Sequence, residues 1–130
     1  MLYADGAARG NPGPAGSGAA LVDEEGHVIA EVMRDLGHAT NNVAEYTALI
    51  IGLEEARRRG VEDLDIRMDS KLVVEQMNGR WKIKHPNLRP LALIAGELLR
   101  AFPKRTIRHV PRAENAIADA LANRAIDEAP

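Results

Sequence analysis

The sequence predicts an α/β domain built on a mixed sheet with helices on both faces. Two observations carry that expectation. Three alternating segments open the chain as a meander, and the strand patterns that follow are separated by helical ones. Strands that return across helices must run parallel to a neighbour, whereas the meander is antiparallel, so the sheet is mixed. At 130 residues with no cysteine, the chain fits one domain whose core needs neither disulfides nor thiolate-bound metal.

Leu2 to Ala8 and Ser17 to Glu24 read as the first two strands, and His27 to Asp35 follows the Glu25-Gly26 turn as the third. From Val43 to Arg59 the apolar residues Val43, Tyr46, Leu49, Ile50 and Leu53 recur at helical spacing, and Gly60 supplies a C-terminal cap. Residues 63 to 69, DLDIRMD, alternate Leu64, Ile66 and Met68 with charged residues, a strand with one buried face. Helices are read from Ser70 to Asn78 and from Leu88 to Phe102, the second with Pro90 in its first turn. RTIRHV forms the last strand and RAENAIADALANRAI the last helix, giving the order β-β-β-α-β-α-α-β-α.

Nothing in MLYADG resembles a signal peptide, and no apolar run reaches the length of a membrane span, so a soluble cytoplasmic protein without membrane contact is expected. Residues 1–130 read as a single domain, and the closing DEAP also suits the start of a linker within a longer chain. The net charge of −2 is unevenly spread. Between Arg80 and Arg112 nine Lys or Arg face one acid, a local charge of +8, while eight bases and eighteen acids leave −10 elsewhere. Such a split points to a cationic surface for a polyanion, or else to solvated faces whose charges scatter on folding.

DGAARGNPGPAGSG, residues 5 to 18, places an acid before five glycines and two prolines. It lacks the G-K-[ST] ending of a phosphate-binding loop and leads into a strand, so that reading fails. Four acids deserve separate weighing. Asp5 with Gly6 has the composition of a hairpin turn, Glu45 has capping-box spacing from Asn42, Asp69 stands at an N-cap position, and Asp119 lies off the apolar stripe of its helix. As a set they sit on two strands and two helices that one sheet edge can gather. Clustered carboxylates ionise at high cost unless cations neutralise them, and hard oxygen donors suit Mg²⁺ or Mn²⁺.

Four blocks, YADGAARGNPGPAGSGA, TNNVAEYTALIIGL, DSKLVVEQMNG and VPRAENAIADALAN, resemble the motif blocks of type 1 ribonuclease H in the same order over essentially the whole chain. The resemblance implies a ribonuclease H-like fold, a five-stranded mixed sheet with a three-strand antiparallel meander and two parallel strands. It implies hydrolysis of the RNA strand of an RNA–DNA hybrid by two divalent ions, leaving 5′-phosphate and 3′-hydroxyl ends, by a monomer. Asp5, Glu45, Asp69 and Asp119 become the metal-binding catalytic set, with Arg112 assisting beside them. Substrate contacts fall to Gly6, Asn11, Thr40, Asn41, Asn42, Ser70, Lys71, Trp81 and Asn115. Thr40 or Asn42 also has the character of a helix cap, and a lone tryptophan such as Trp81 is equally a core residue.

The chain departs from the better-known bacterial pattern twice. The region around Trp81 is shorter than the helix-borne basic protrusion of those enzymes, and HVPRAEN replaces their glycine-histidine loop. His109 within TIRHV is therefore a poor mobile proton shuttle, and Arg112 is preferred beside the last acid. Arginine cannot act as a general base near neutral pH, so its part is to steady phosphate. Two rivals remain at this stage: a DNA nuclease of the wider superfamily, and a module that grips hybrid without cutting it.

Overall fold

The computed structural model describes all 130 residues. Five strands, β1 (Leu2–Ala8), β2 (Gly13–Val22), β3 (Val28–Ala39), β4 (Asp63–Met68) and β5 (Lys104–His109), form one sheet in the order β3-β2-β1-β4-β5. β1 lies in the middle, antiparallel to β2 and parallel to β4, which is itself parallel to β5. The helices are α1 (Asn41–Arg58), α2 (Lys71–Met77), α3 (Arg89–Leu99) and α4 (Ala116–Asp127). Element order and mixed pairing are as the sequence predicts.

Helices cover both faces. Leu2, Ala4 and Ala19 look toward α1, which is buried all round from Ala44 to Leu53 because α3 packs on its far side. Tyr46, Leu49 and Leu53 are fully buried there, each such side chain contributing about 1.5–3 kcal/mol by leaving water. On the opposite face α4 packs across β1, β2 and β3, with Leu121 against Ala20 and Val22. No helix is long and apolar enough to cross a membrane.

The glycine-rich opening is corrected in kind. Gly13 to Gly16, ahead of the strand start expected at Ser17, belong to β2, and only Arg9 to Pro12 turns, with Gly10 at φ +92°. The glycines serve packing instead: a Cβ on Gly18 would lie 2.5 Å from Leu121 Cβ, and one on Gly16 2.5 Å from the Ala122 carbonyl oxygen. Helix α4 can lie this close to the sheet only where side chains are absent. β3 also outruns its predicted end at Asp35. A bulge at Leu36 and Gly37 absorbs one extra residue, and pairing resumes as far as Ala39 opposite Gly13.

Two caps differ from the simplest expectation. Ser70, not Asp69, caps α2 by accepting from Val73 N at 3.3 Å, and Thr40 caps α1 by accepting from Val43 N at 3.3 Å. Neither Asp69 nor Glu45 is consumed as a cap. The last helix starts later than Arg112 because Arg112 to Asn115 form a short 3-10 turn, and Asn115 has the non-helical φ −117°, ψ 24°. Between α2 and α3 the chain runs without helix or strand, so no helical protrusion is built there.

Candidate active site

The parallel pairing of β1 with β4 ends at Ala4 opposite Met68, and beyond that point the two strands diverge. A cleft opens between the carboxyl ends of adjacent strands, where ligands of open α/β sheets bind. Asp5 stands at its floor on the central strand. Gly6 follows, and a Cβ there would collide with the backbone of Ala44 and Glu45. The missing side chain lets the first turn of α1 rest on β1, which brings Glu45 beside Asp5. Asp69 enters from the end of β4.

Carboxylate oxygens of Asp5, Glu45 and Asp69 all lie within 4.8 Å of one another. Asp5 and Glu45 are 4% and 5% exposed. Burial, then the Glu45 charge, pushes the Asp5 carboxyl far above the ordinary range, and contact with Asp119 adds to it. Burial is also the chief cause that raises Glu45, against hydrogen bonds from Asp5 and the Gly6 backbone. Glu45 Oε2 is buried with no hydrogen-bond partner. A buried acceptor left unpaired beside two further acids costs a few kcal/mol unless a cation satisfies it. Three hard oxygen donors with an orphaned lone pair fit a divalent cation such as Mg²⁺ or Mn²⁺.

Asp119, in the first turn of α4, borders the same cleft of about 400 Å³ but stands outside the tight trio. Arg112 Nη2 lies 3.7 Å from its Oδ1, with the Arg112 side chain largely exposed. Asn123, one turn further along α4, donates to the Asp119 carbonyl at 3.0 Å and to Oδ1 at 3.4 Å. Arg9 reaches Asn123 Oδ1 at 3.5 Å and Asp127 at 2.7 Å, tying the β1–β2 turn to α4. Both residues border the cleft and escaped the sequence reading. The helical i+4 spacing of Asn123 from Asp119 was the available signal.

Among the expected substrate contacts, Gly6, Asn41 and Ser70 border the acidic cleft. Asn11 accepts from the Asn41 backbone at 3.1 Å, so the glycine turn is pinned to the start of α1. Asn42 faces a neighbouring groove of about 540 Å³ with Trp81, Lys82 and Lys84. Trp81 is 44% exposed, which removes the core alternative, and the Lys71 ammonium lies 5.9 Å from its ring centroid. Thr40 lies by a shallower pocket with Pro12 and Pro86.

Asn115 is corrected. It is fully buried, and its Nδ2 donates to the Ala4 carbonyl and to Asp69 Oδ1, both at 2.9 Å. It replaces the strand pairing lost where β1 and β4 part, and it aims Asp69. With its amide donors spent inside the protein and no part of it bordering the cleft, it holds the site and does not face substrate. The basic stretch is also less free than its charge implies: Arg80 pairs with Glu75, Arg108 with Asp65 and Arg112 with Asp119. His109 is the last residue of β5, fixed opposite Met68.

Residues 3–125 match a family model described as reverse transcriptase-like. A ribonuclease HI of Halobacterium salinarum is 51% identical over 127 residues, covering 98% of this chain and 64% of that protein. A bifunctional protein of Mycobacterium tuberculosis is 51% identical over 130 residues, or 99% of this chain. The chain spans 36% of that relative's length. The crystal structure of the halobacterial RNase H1 matches at TM-score 0.94, covering 98% of this chain and 97% of that one. LC11-RNase H1, solved in complex with an RNA/DNA hybrid, matches at TM-score 0.92 and 42% identity, covering 98% and 96%. Fold, site and similarity agree, and the chain belongs to the type 1 ribonuclease H family.

Proposed function

We propose that this domain is an endoribonuclease that hydrolyses the RNA strand of RNA–DNA hybrids. The observation that carries the proposal is the convergence of buried Asp5 and Glu45 with half-buried Asp69, within 4.8 Å and unmatched by any protein cation. A pure binding module has no use for so costly a cluster. The hybrid held by the similar LC11 enzyme supports the substrate class.

Asp5, Glu45 and Asp69, with Asp119 at the border of the same cleft, would hold the divalent ions, Mg²⁺ or Mn²⁺. Divalent ions bound there supply an activated water and a stabilised leaving oxygen, consistent with 5′-phosphate and 3′-hydroxyl products. The residues around them orient the strand. Asn115 fixes one oxygen of Asp69, leaving the other for a ligand. Arg112, held at Asp119 by a 3.7 Å contact yet mostly exposed, offers its remaining donors to a phosphate.

Discrimination for RNA requires groups that sense a 2′-hydroxyl as donor and acceptor. The Gly6 backbone, Asn41 and Ser70 would supply them at the cleft, with Asn11 beside Asn41 and Asn42 and Lys71 toward the groove of Trp81. Thr40 suits a phosphate of the DNA strand. Trp81 has an open face for sugar or base, flanked by Lys82 and Lys84 for phosphates. Incubation of an end-labelled hybrid, matched duplexes and single strands with Mg²⁺, Mn²⁺ or EDTA tests this reading. Metal-dependent cleavage confined to the RNA of the hybrid is expected. Cleavage of duplex DNA, or hybrid binding without cleavage, overturns it.

A further inference from the structure

The segment that carries Trp81, Lys82 and Lys84 has no regular secondary structure of its own, yet it is anchored from beneath. Tyr46, fully buried on α1 next to Glu45, donates its hydroxyl to Gln76 Oε1 at 2.5 Å. Gln76, 8% exposed on α2, uses its Nε2 to donate to the Lys82 carbonyl at 3.2 Å. The remaining ties are peripheral. Arg80 N and Trp81 N donate to the Glu75 carbonyl at the end of α2, and exposed Arg89 donates to the Ile83 carbonyl. Ile83 packs against the core beside them, and Gln76 is the one buried side chain that hydrogen-bonds the loop backbone.

From this we infer that Gln76 is a positioning residue: clamped by Tyr46, it holds the Trp81–Lys84 loop in a fixed register across the groove from Asn42, so that the loop meets the hybrid already ordered. The inference rests on the proposed hybrid substrate and goes beyond it. The family's basic protrusion is absent here, and a bare loop would spend binding energy on being ordered. Gln76 is suited to prevent that. Its acceptor is occupied by a tyrosine with no other partner, which leaves the amide donor facing the backbone. The resulting path runs from the helix that bears Glu45 to the loop that bears the free lysines.

The experiment compares wild type, Gln76→Leu, Gln76→Glu and Tyr46→Phe, using a uniform RNA–DNA hybrid in EDTA for affinity and in Mg²⁺ for turnover. Gln76→Glu keeps the acceptor for Tyr46 and loses the donor to Lys82. Affinity is expected to fall about five- to tenfold in both Gln76 variants, with kcat at saturating hybrid within about twofold of wild type. The slope of log affinity against log salt is expected to drop by about one to two as Lys82 and Lys84 disengage, which a general loss of stability would not produce. Because Trp81 is the single tryptophan, acrylamide quenching of its fluorescence reads loop order directly in the free protein. Quenching is expected to rise in all three variants, least in Tyr46→Phe, which preserves shape and serves if Gln76→Leu folds poorly. Unchanged quenching, affinity and salt slope in folded Gln76→Glu would overturn the inference. A wild-type protein that binds no hybrid would instead sink the functional reading, and the inference with it.

Discussion

Replacing Asn115 by alanine tests how the cleft is held open. In the folded protein Asn115 Nδ2 makes two 2.9 Å bonds, one to the Ala4 carbonyl and one to Asp69. The first is an ordinary hydrogen bond, about 1 kcal/mol, and the second goes to a carboxylate, about 2 kcal/mol. Truncation at a fully buried position adds about 1 kcal/mol for the small void left behind. Against this, Asn115 Oδ1 is itself buried without a partner, and deleting it recovers about 1–2 kcal/mol. The net loss is about 2–3 kcal/mol, which lowers the melting temperature of a domain of this size by roughly 10 °C. Urea unfolding followed by circular dichroism measures it.

The same substitution frees Asp69 to rotate, and losing a residue that orients a metal ligand costs about 10–100-fold in activity or metal affinity. Cleavage of hybrid at saturating Mg²⁺, below the melting transition, separates that effect from unfolding. Stability within about 0.5 kcal/mol of wild type, together with unchanged turnover, would refute both assignments.

Three further outcomes follow from the same structure. Asp5 and Glu45 have raised carboxyl pKa values, chiefly through burial, with the Glu45 charge adding to Asp5 and the Asp69 charge to Glu45. Their protonation therefore contributes stability to the metal-free fold that is fully present below about pH 4 and lost as pH climbs through the raised values. Melting curves in EDTA should fall from about pH 5.5 to about pH 8.5, and the stabilisation gained on adding Mg²⁺ should grow over that span; equal metal stabilisation at both ends would contradict it. Gly18→Ala forces a methyl to within 2.5 Å of Leu121 Cβ, and a loss of about 1–3 kcal/mol in urea unfolding is expected. Trp81→Ala, at a half-exposed position, should leave stability within about 0.5 kcal/mol while weakening hybrid affinity in a binding titration by about 1–3 kcal/mol.

Much of the fold was legible because local chemistry and tertiary need coincide. α1 shows helical periodicity and a glycine stop, and β4 alternates cleanly with one face buried. Legibility failed where tertiary contact chose the residue. Gly16 looks like a turn residue ahead of the strand, but with Gly18 it is a strand residue emptied to admit α4. Gly37 looks like a strand end, but it lets a bulge carry β3 onward.

The acids were found through the motif blocks, since each alone had a local explanation. Two of those explanations were removed only by seeing that Thr40 and Ser70 do the capping. Asn115 was misassigned because a motif tells which residue matters and not which way it points. Asn123, Gln76 and Arg9 act through partners distant in the chain or one turn away, and composition gives no sign of that.

The central claim is that the acid cluster performs metal-dependent cleavage, as distinct from holding the fold together. Hybrid cleavage and hybrid affinity measured side by side for wild type and Asp5→Asn test it most directly. Asp5→Asn should bind hybrid within a few-fold of wild type and show no Mg²⁺- or Mn²⁺-dependent cleavage, because removing one oxygen donor of the acid cluster leaves the substrate groove intact. Retained cleavage by folded Asp5→Asn would contradict the account.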